Sequence, residues 1–211
     1  LHALHALKGE FVGPERLAEE ATHLERDMLH EPVGCQDQIL CAFGGLRLIT
    51  WEPGGVWRAD PVPLAPGILR AFEERLLLVY TGPRPDGAAP ILPAGQNAAA
   101  LARIQEMPRQ GVECLAAADW AGFGALLEWA WLEKRSLAAG IVTREIADLC
   151  LRLQWEGAVV KLMGAGGGGF LLVYAEPDRW GPIQRALEGM VTVPVRFAGR
   201  GSEIVHYGSD A

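Results

Sequence analysis

The residues best suited to chemistry lie in two short segments of the chain. The first is Gly34-Cys35-Gln36-Asp37-Gln38, and the second, residues 161–170, reads KLMGAGGGGF. A carboxylate such as that of Asp37 can accept the proton of a hydroxyl group, and a glycine loop lets backbone N–H groups approach a phosphate closely. Each segment also has a structural explanation. Aspartate is a favoured helix N-cap, and glycines suit a crowded connection between two strands.

The glycine segment also satisfies the pattern G-x-G-x-x-G, through Gly164, Gly166 and Gly169. In dinucleotide-binding proteins this pattern lies between a strand and a helix, so that the pyrophosphate meets the helix N-terminus. Here the residues that follow, 170–174, form a continuous apolar run that is typical of a buried strand. The sequence therefore disfavours a nicotinamide site.

The composition favours a globular protein whose partners are small molecules. Half of the 211 residues are apolar, and the net charge of −7 disfavours binding to nucleic acid or to an anionic membrane surface. No run approaches the roughly 20 apolar residues of a membrane helix, and the first residues do not resemble a signal peptide. The four cysteines form no C-x-x-C pair, which excludes common zinc sites and indicates a reducing compartment. We expect a cytoplasmic protein.

The hydrophobic pattern predicts alternating helices and strands, and therefore an α+β or α/β fold. Helices are expected at the N-terminus, from Pro14 onward, over most of 97–154 with breaks near Gly111, Gly140 and Thr143, and over 182–188. Strands are expected at 46–51, 56–59, 76–80, 158–162, 170–174, 191–197 and 204–207. The proline-rich segment 61–66 is a candidate domain boundary.

The chain begins inside a helical pattern, because Leu1, Leu4 and Leu7 recur every three residues with no N-cap before them. We expect the chain to start in the middle of a helix. His2 and His5 lie one turn apart on this helix. Two histidines make only a weak metal site, so the sequence favours exposed positions on the helix surface.

Four segments taken together resemble the GHMP superfamily of small-molecule kinases. Residues 34–38 and the Ala-Phe-Gly-Gly-Leu of 42–46 look like its G-x-x-D-Q segment, in the form found in heptose-phosphate kinases. Residues 161–170 resemble its third signature motif. Residues 77–82 are similar to the strand and Thr-Gly that open the C-terminal half, and residues 131–135 fit the heptose subgroup. The segments occur in the family's order and cover nearly the whole chain.

The resemblance implies an α+β, two-lobed fold. Residues 1–60 would be an incomplete N-terminal lobe, and residues 61–211 a C-terminal lobe built as a ferredoxin-like sandwich. The family's phosphate-cradling loop, P-x-x-x-G-L-G-S-S-A, would come before the helix at residues 1–7, and it is not in this sequence. The family also places an arginine three residues after the glycine of Thr-Gly, where this chain has Pro85 and shifts Arg84 by one position.

The resemblance also implies roles for individual residues. Asp37 would be the catalytic base, and Glu25, twelve residues earlier, would bind Mg²⁺. The residues implied in the triphosphate site for ATP are Gly164, Ala165, Gly166, Gly167 and Gly168. Weaker candidates for substrate contacts are Gln36, Gly44, Gly45, Thr81 and Lys134. For Lys134 and its neighbour Arg135, a charge pair on a helix surface is the simpler interpretation.

The implied function is that of an ATP-dependent sugar kinase, here as a fragment, with ATP and Mg²⁺ as cofactors and a sugar phosphate as the partner. The heptose-like segments favour the anomeric hydroxyl of D-glycero-D-manno-heptose 7-phosphate, for nucleotide-activated heptose biosynthesis. Two alternatives stay open: another GHMP sugar kinase of the galactokinase or fucokinase type, and a truncated non-catalytic domain that binds a sugar phosphate or a protein partner. A homodimer is also left open.

Overall fold

The computed structural model describes residues 1–31, 33–52, 54–83, 98–137, 141–164 and 166–208. The chain divides into two compact units, Leu1–Pro63 with Phe197–Ala211, and Leu64–Arg196. The division at Pro63 falls inside the proline-rich segment 61–66. Residues 197–211, which the sequence assigns to the second lobe, cluster instead with the first unit.

The described residues of the first unit form three α-helices and a two-stranded sheet. They are α1 (His2–Leu7), α2 (Pro14–Thr22), α3 (Gln36–Phe43), β1 (Arg47–Trp51) and β2 (Trp57–Pro61), and a π-helical segment, His23–Met28, continues α2. The two strands pair antiparallel. The buried core of this unit comes from α2, α3 and the segment before α2, through Val12, Leu17, Ala18, Ile39 and Ala42. This packing sets the position of α3, which carries Asp37.

The C-terminal segment crosses the end of α3, which explains why it belongs to the first unit. The backbone N–H of Ser202 donates to the carbonyl of Cys41 over 3.0 Å, and that of Gly45 donates to the carbonyl of Ala198 over 2.6 Å. Gly44 has a φ of 66°, and a Cβ there would collide with the backbone of Arg200. Glycine is therefore required at this point by the close approach of two backbones.

The second unit is a four-stranded antiparallel sheet with helices. Its elements are α4 (Pro66–Glu73), β3 (Leu76–Tyr80), α5 (Ala98–Ala116), α6 (Trp120–Leu137), α7 (Arg144–Trp155), β4 (Val159–Leu162), β5 (Phe170–Tyr174), a 3₁₀ turn (Pro177–Arg179), α8 (Trp180–Ala186) and β6 (Thr192–Pro194). The strand order is β4-β5-β3-β6. This is the split βαβ order of a ferredoxin-like sheet, and the described residues of its first crossover include α5, α6 and α7.

Alternation along β4 and β5, two neighbouring strands of this sheet, builds the core of the second unit. Val160 and Leu162 on β4, and Leu171 and Val173 on β5, are fully buried and join side chains of α7 and α8 in one cluster. The opposite face of β4 carries Val159 and Lys161, which are only half-buried. The connection between β4 and β5 is the glycine segment, and a strand follows it, as the sequence predicts.

Several predicted elements differ from those observed. Gly111 does not break its helix, because α5 packs against α6 there and a Cβ would lie 3.6 Å from Leu126. The chain turns instead at Ala118, which has a φ of 52°. Helix α4 was not predicted, although Pro66 stands in its first turn. No strand forms over 204–207, a part of the chain that the structure describes.

The prediction that both histidines of α1 are exposed is wrong for His5. Its ring is buried, and its two nitrogens contact the carboxylates of Glu10, at 2.7 Å, and Glu20, at 2.6 Å. Hydrogen bonds to Glu20 and then Glu10 raise the pKa of His5 above its ordinary value. His5 thus links α1 to α2, while Leu4 and Leu7 face outward. Within the described ranges, no helix has the length and apolar character needed to cross a membrane.

Candidate active site

Asp37 stands in the first turn of α3 and is exposed. The N-cap of α3 is Cys35, and no side-chain hydrogen bond caps the helix, so the alternative role of Asp37 as the cap is wrong. Its carboxylate makes no hydrogen bond or ion pair to any residue that the structure describes. The N-terminal end of a helix favours a negative charge. A proton acceptor for a hydroxyl group has to be within reach of its substrate, and an exposed carboxylate without a described partner meets that requirement.

Glu25 lies on the π-helical segment and is tied to α3 by a side chain next to Asp37. The Nε2 group of Gln38 donates to Oε2 of Glu25 over 2.8 Å. Gln38 is buried, and its Oε1 atom has no hydrogen-bond partner among the described residues. The contact holds the Glu25 carboxylate and leaves its Oε1 without a described partner. Sequence reasoning missed Gln38, although it is the last residue of the G-x-x-D-Q segment.

Gln36, Gly44 and Gly45, the weaker substrate candidates of the first unit, lie at the two ends of α3. Gln36 begins the helix and is exposed. Gly44 and Gly45 follow the other end of the helix, where they meet the C-terminal segment. Their observed contacts are therefore structural, and a substrate role for them stays a prediction.

The glycine loop is residues 163–169, between β4 and β5, and its backbone adopts conformations that favour glycine. The φ angles are 63° at Gly164, 100° at Gly166, 79° at Gly167 and 91° at Gly169. A Cβ at Gly166 would also lie 3.0 Å from the Cα of Ile141. The loop needs glycine for two reasons, the left-handed backbone and the close approach of another chain segment.

The second half of the loop is held by hydrogen bonds to backbone groups and to one side-chain hydroxyl. Gly167 donates to the carbonyl of Ile141 over 2.9 Å, and Gly169 donates to that of Gly82 over 2.8 Å. The carbonyl of Gly169 accepts from both the backbone N–H and the Oγ1 of Thr81. The Thr-Gly pair singled out in the sequence thus holds the loop, and Ile141 is a contact that sequence reasoning missed.

Lys134 reaches the first half of the loop from α6. Its Nζ donates to the carbonyl of Leu162 over 2.8 Å and to that of Gly164 over 2.5 Å. The interpretation of Lys134 as part of a charge pair on a helix surface is wrong. Burial, reinforced by the charge of Lys161, lowers the pKa of Lys134 to about 8. Burial also lowers the pKa of Lys161.

Two backbone amides of the loop take no part in these hydrogen bonds. The N–H groups of Gly166 and Gly168 donate to no acceptor among the described residues, whereas those of Gly167 and Gly169 do. Both glycines are buried. Unpaired buried amides are rare, because each costs free energy unless a ligand or water satisfies it. They are suited to bind a phosphate oxygen. Ala165 and Arg84, also considered above, lie outside the described residues.

The described residues contain no cluster of three histidine, cysteine, aspartate or glutamate side chains that could hold a metal ion by themselves. Mg²⁺ does not need such a cluster, because it keeps several water ligands and takes further oxygens from substrate phosphates. The single held carboxylate of Glu25 is compatible with that mode of binding. In the second unit the glycine loop supplies amide donors and lysine charge but no carboxylate.

Comparison with known families decides the affiliation of the second unit. Residues 112–190, which include α6, α7, β4, the glycine loop and β5, match the family described as GHMP kinases C terminal. The chain contains a GHMP kinase C-terminal domain. The match covers the loop and the lysine that holds its first half, so the geometry described above belongs to a kinase fold.

Relatives of known activity extend the likeness beyond this domain. The chain is 29% identical over 154 residues, 68% of its length, to the bifunctional fucokinase/GDP-fucose pyrophosphorylase of Arabidopsis thaliana, of which it covers 14%. It is 24% identical over 185 residues, 83% of its length, to the D-glycero-alpha-D-manno-heptose 7-phosphate kinase of Campylobacter jejuni, of which it covers 54%. The chain therefore spans about half of this kinase and a small part of the bifunctional enzyme.

A solved structure supports the same fold. The crystal structure of a D-glycero-D-manno-heptose 1-phosphate kinase from Bacteriodes thetaiotaomicron superimposes with a TM-score of 0.70, at 21% identity, and the match covers 98% of this chain and 60% of that one. The chain has a GHMP-kinase-like fold and is close to the heptose-phosphate kinases. At this level of identity the structural likeness concerns the fold and not the substrate.

Proposed function

We propose that this chain is part of an ATP-dependent kinase that phosphorylates the anomeric hydroxyl of D-glycero-D-manno-heptose 7-phosphate. The observation that carries the proposal is the glycine loop, whose buried Gly166 and Gly168 amides have no acceptor among the described residues while its other contacts fix its shape. Such a loop is suited to bind the phosphates of a nucleotide. The heptose substrate is supported by the Campylobacter jejuni relative and by the heptose-like segments of the sequence.

In this proposal the two units have different tasks. Asp37 accepts or orients the proton of the sugar hydroxyl, and Glu25, held by Gln38, provides the protein oxygen for Mg²⁺. When bound, Mg²⁺ neutralises charge on the nucleotide phosphates. The glycine loop donates to phosphate oxygens, and the positive charge of Lys134 and Lys161 lies beside it. A cytoplasmic location and a homodimer stay predictions.

A sugar screen tests the proposal. The extended protein is defined here as this chain preceded by the residues encoded upstream of Leu1 or, in their place, by the N-terminal segment of the Campylobacter jejuni relative. We expect sugar-dependent ADP release with the heptose phosphate, and no useful turnover by the 211-residue chain alone. Turnover by this chain alone would mean that the nucleotide site has been misassigned.

A second candidate is a fucokinase-type enzyme, because the Arabidopsis thaliana relative carries that activity in its name. Fucose and galactose therefore belong in the same screen. A product phosphorylated on fucose rather than on the heptose would replace the first candidate. Sugar phosphate binding without turnover by the extended protein would support the non-catalytic alternative instead.

A further inference from the structure

Among the described residues, a single side chain holds the first half of the glycine loop, and it comes from a helix rather than from the flanking strands. Lys134 lies near the end of α6, and its ammonium bridges the carbonyl oxygens of Leu162 and Gly164. The second half depends on Ile141, Gly82 and Thr81. The two halves are thus held by different groups.

The surroundings of Lys134 distinguish it from an ordinary surface lysine. Its ammonium is partly buried and makes no ion pair with the described residues, although its neighbour Glu133 does pair, with Arg103. Burying a charge without a counter-ion is costly. Here two charge-assisted hydrogen bonds offset that cost, and bonds of this kind are stronger than neutral ones.

The bridge also changes the electrostatics of the loop. Carbonyl oxygens carry partial negative charge, and two of them beside a phosphate would repel it. An ammonium between the carbonyls of Leu162 and Gly164 cancels this repulsion and draws the two groups together. Lys161, on the half-buried face of β4, adds a second positive charge, but no hydrogen bond joins it to the described part of the loop.

We propose that Lys134 is a positioning residue of the loop. By bridging Leu162 and Gly164, its ammonium fixes the turn after which the amides of Gly166 and Gly168 are presented to a phosphate. The inference rests on the proposed role of the loop in nucleotide binding. It assigns to α6 a part in shaping a loop whose first bridged carbonyl, that of Leu162, lies 28 residues after Lys134 along the chain.

Amide hydrogen exchange in the 211-residue chain tests the bridge directly. In Lys134→Met we expect about tenfold faster exchange at Gly167, since a lost charge-assisted hydrogen bond permits local opening. Gly169, held by Gly82, should change less, and Val160 in the core should not change. Lys134→Arg should restore most of the protection. Lys161→Met is the matched control, because it removes the same charge beside the loop but no hydrogen bond to it.

Calorimetry with Mg-ATP and with inorganic tripolyphosphate on the same variants separates this inference from the proposed function. We expect Lys134→Met to weaken binding about tenfold and Lys161→Met to weaken it less. Unchanged exchange at Gly167 in Lys134→Met overturns the inference, and so does equal weakening of ligand binding by Lys134→Met and Lys161→Met. The expected exchange pattern with no binding of either ligand, even by the unaltered extended protein, overturns the proposed function alone. If Lys134→Met does not fold, Lys134→Gln takes its place.

Discussion

The first turn of α3 and the glycine loop are supported in opposite ways. Asp37 is exposed, and its side chain makes no hydrogen bond or ion pair to the described residues, whereas the loop has buried glycines that are held by several hydrogen bonds. A group that exchanges a proton with a substrate must be reachable, and it needs few partners. A loop that presents amides to an anion must be rigid, since only preorganised donors stabilise charge effectively. Substitutions in the two regions should therefore have different effects. Those at Asp37 should lower turnover, and those in the glycine loop should disturb its conformation and so lower stability and nucleotide binding.

Asp37→Asn in the extended protein should give the largest effect. Asparagine keeps the size of the side chain but removes its charge and basicity, so we expect turnover to fall by ~10²–10⁴-fold. Nucleotide affinity and melting temperature should stay close to those of the unaltered protein, because the carboxylate has no described partner to lose. Steady-state kinetics, calorimetry and thermal melts check the three expectations.

The matched control for Asp37 is Asp27→Asn, on the π-helical segment. Asp27 is also an exposed aspartate, but it is paired with Arg26 and His23, and the loss of an exposed ion pair has a small effect on stability. Turnover should be unchanged in this control. If Asp37→Asn also retained turnover within a few-fold, its role as catalytic base would have to be abandoned.

Gly166→Ala should show the opposite pattern, because it should disturb the conformation of the loop without removing a reacting group. The new Cβ would lie 3.0 Å from the Cα of Ile141, at a φ of 100°. We expect a loss of unfolding free energy of about 1–3 kcal/mol, together with weaker Mg-ATP binding. Denaturant unfolding and calorimetry on the 211-residue chain measure both quantities.

Gly164→Ala separates the two causes of the expected loss at Gly166. Gly164 has a φ of 63°, but a Cβ there would meet no atom within 4 Å. It should therefore show backbone strain without a collision, and a smaller loss than Gly166→Ala. Earlier melting with unchanged nucleotide binding at both positions would reduce the loop to a structural turn.

The loop also shows which features the sequence could predict. Strands β3 and β5 have the bounds expected from their apolar runs, because a buried strand is recognised by its own residues and its flanking glycines. Thr143 was expected to mark a helix break, and it caps α7 by accepting from the N–H of Ile146. These are local signals, which a single segment contains in full.

The features that could not be predicted depend on pairs of residues far apart in the chain. The inward orientation of His5 depends on Glu20, fifteen residues later. The role of Lys134 depends on two carbonyl groups, and backbone carbonyls leave no signal in the residue types. The packing of residues 197–208 against the end of α3 also depends on backbone hydrogen bonds, which the residue types do not reveal. From the sequence alone, the end of α6 that carries Lys134 could therefore not be distinguished from a solvent-exposed helix surface.

Gln38→Leu should have a moderate effect, because it loosens Glu25 without opening the core. The substitution removes the hydrogen bond to Glu25 and also a buried oxygen that has no described partner, and these two changes oppose each other in stability. We expect the melting temperature to change little and turnover of the extended protein to fall about tenfold, with a higher requirement for Mg²⁺. Glu25→Gln should produce the same magnesium dependence. A Gln38→Leu enzyme with normal magnesium dependence would mean that Glu25 needs no support from α3.

The smallest expected effect is a difference in how the two units respond to pH. The pKa of His5 is raised above 6.5 by Glu20 and Glu10, so its stabilising contribution is fully present below pH 6.5 and is lost as pH rises through the raised pKa. The pKa of Lys134 is lowered to about 8 by burial and by Lys161. The cost of burying its charge therefore begins to fall as pH rises through about 8 and is lost only near the ordinary value of 10.5, so its contribution changes in the opposite direction. Thermal melts between pH 6 and 9 should show the advantage of the unaltered chain over His5→Gln shrinking as pH rises, while its stability relative to Lys134→Met improves. If both differences changed in the same direction, the charged contacts of at least one unit would be misassigned, and parallel melts at high salt would show which of them is electrostatic.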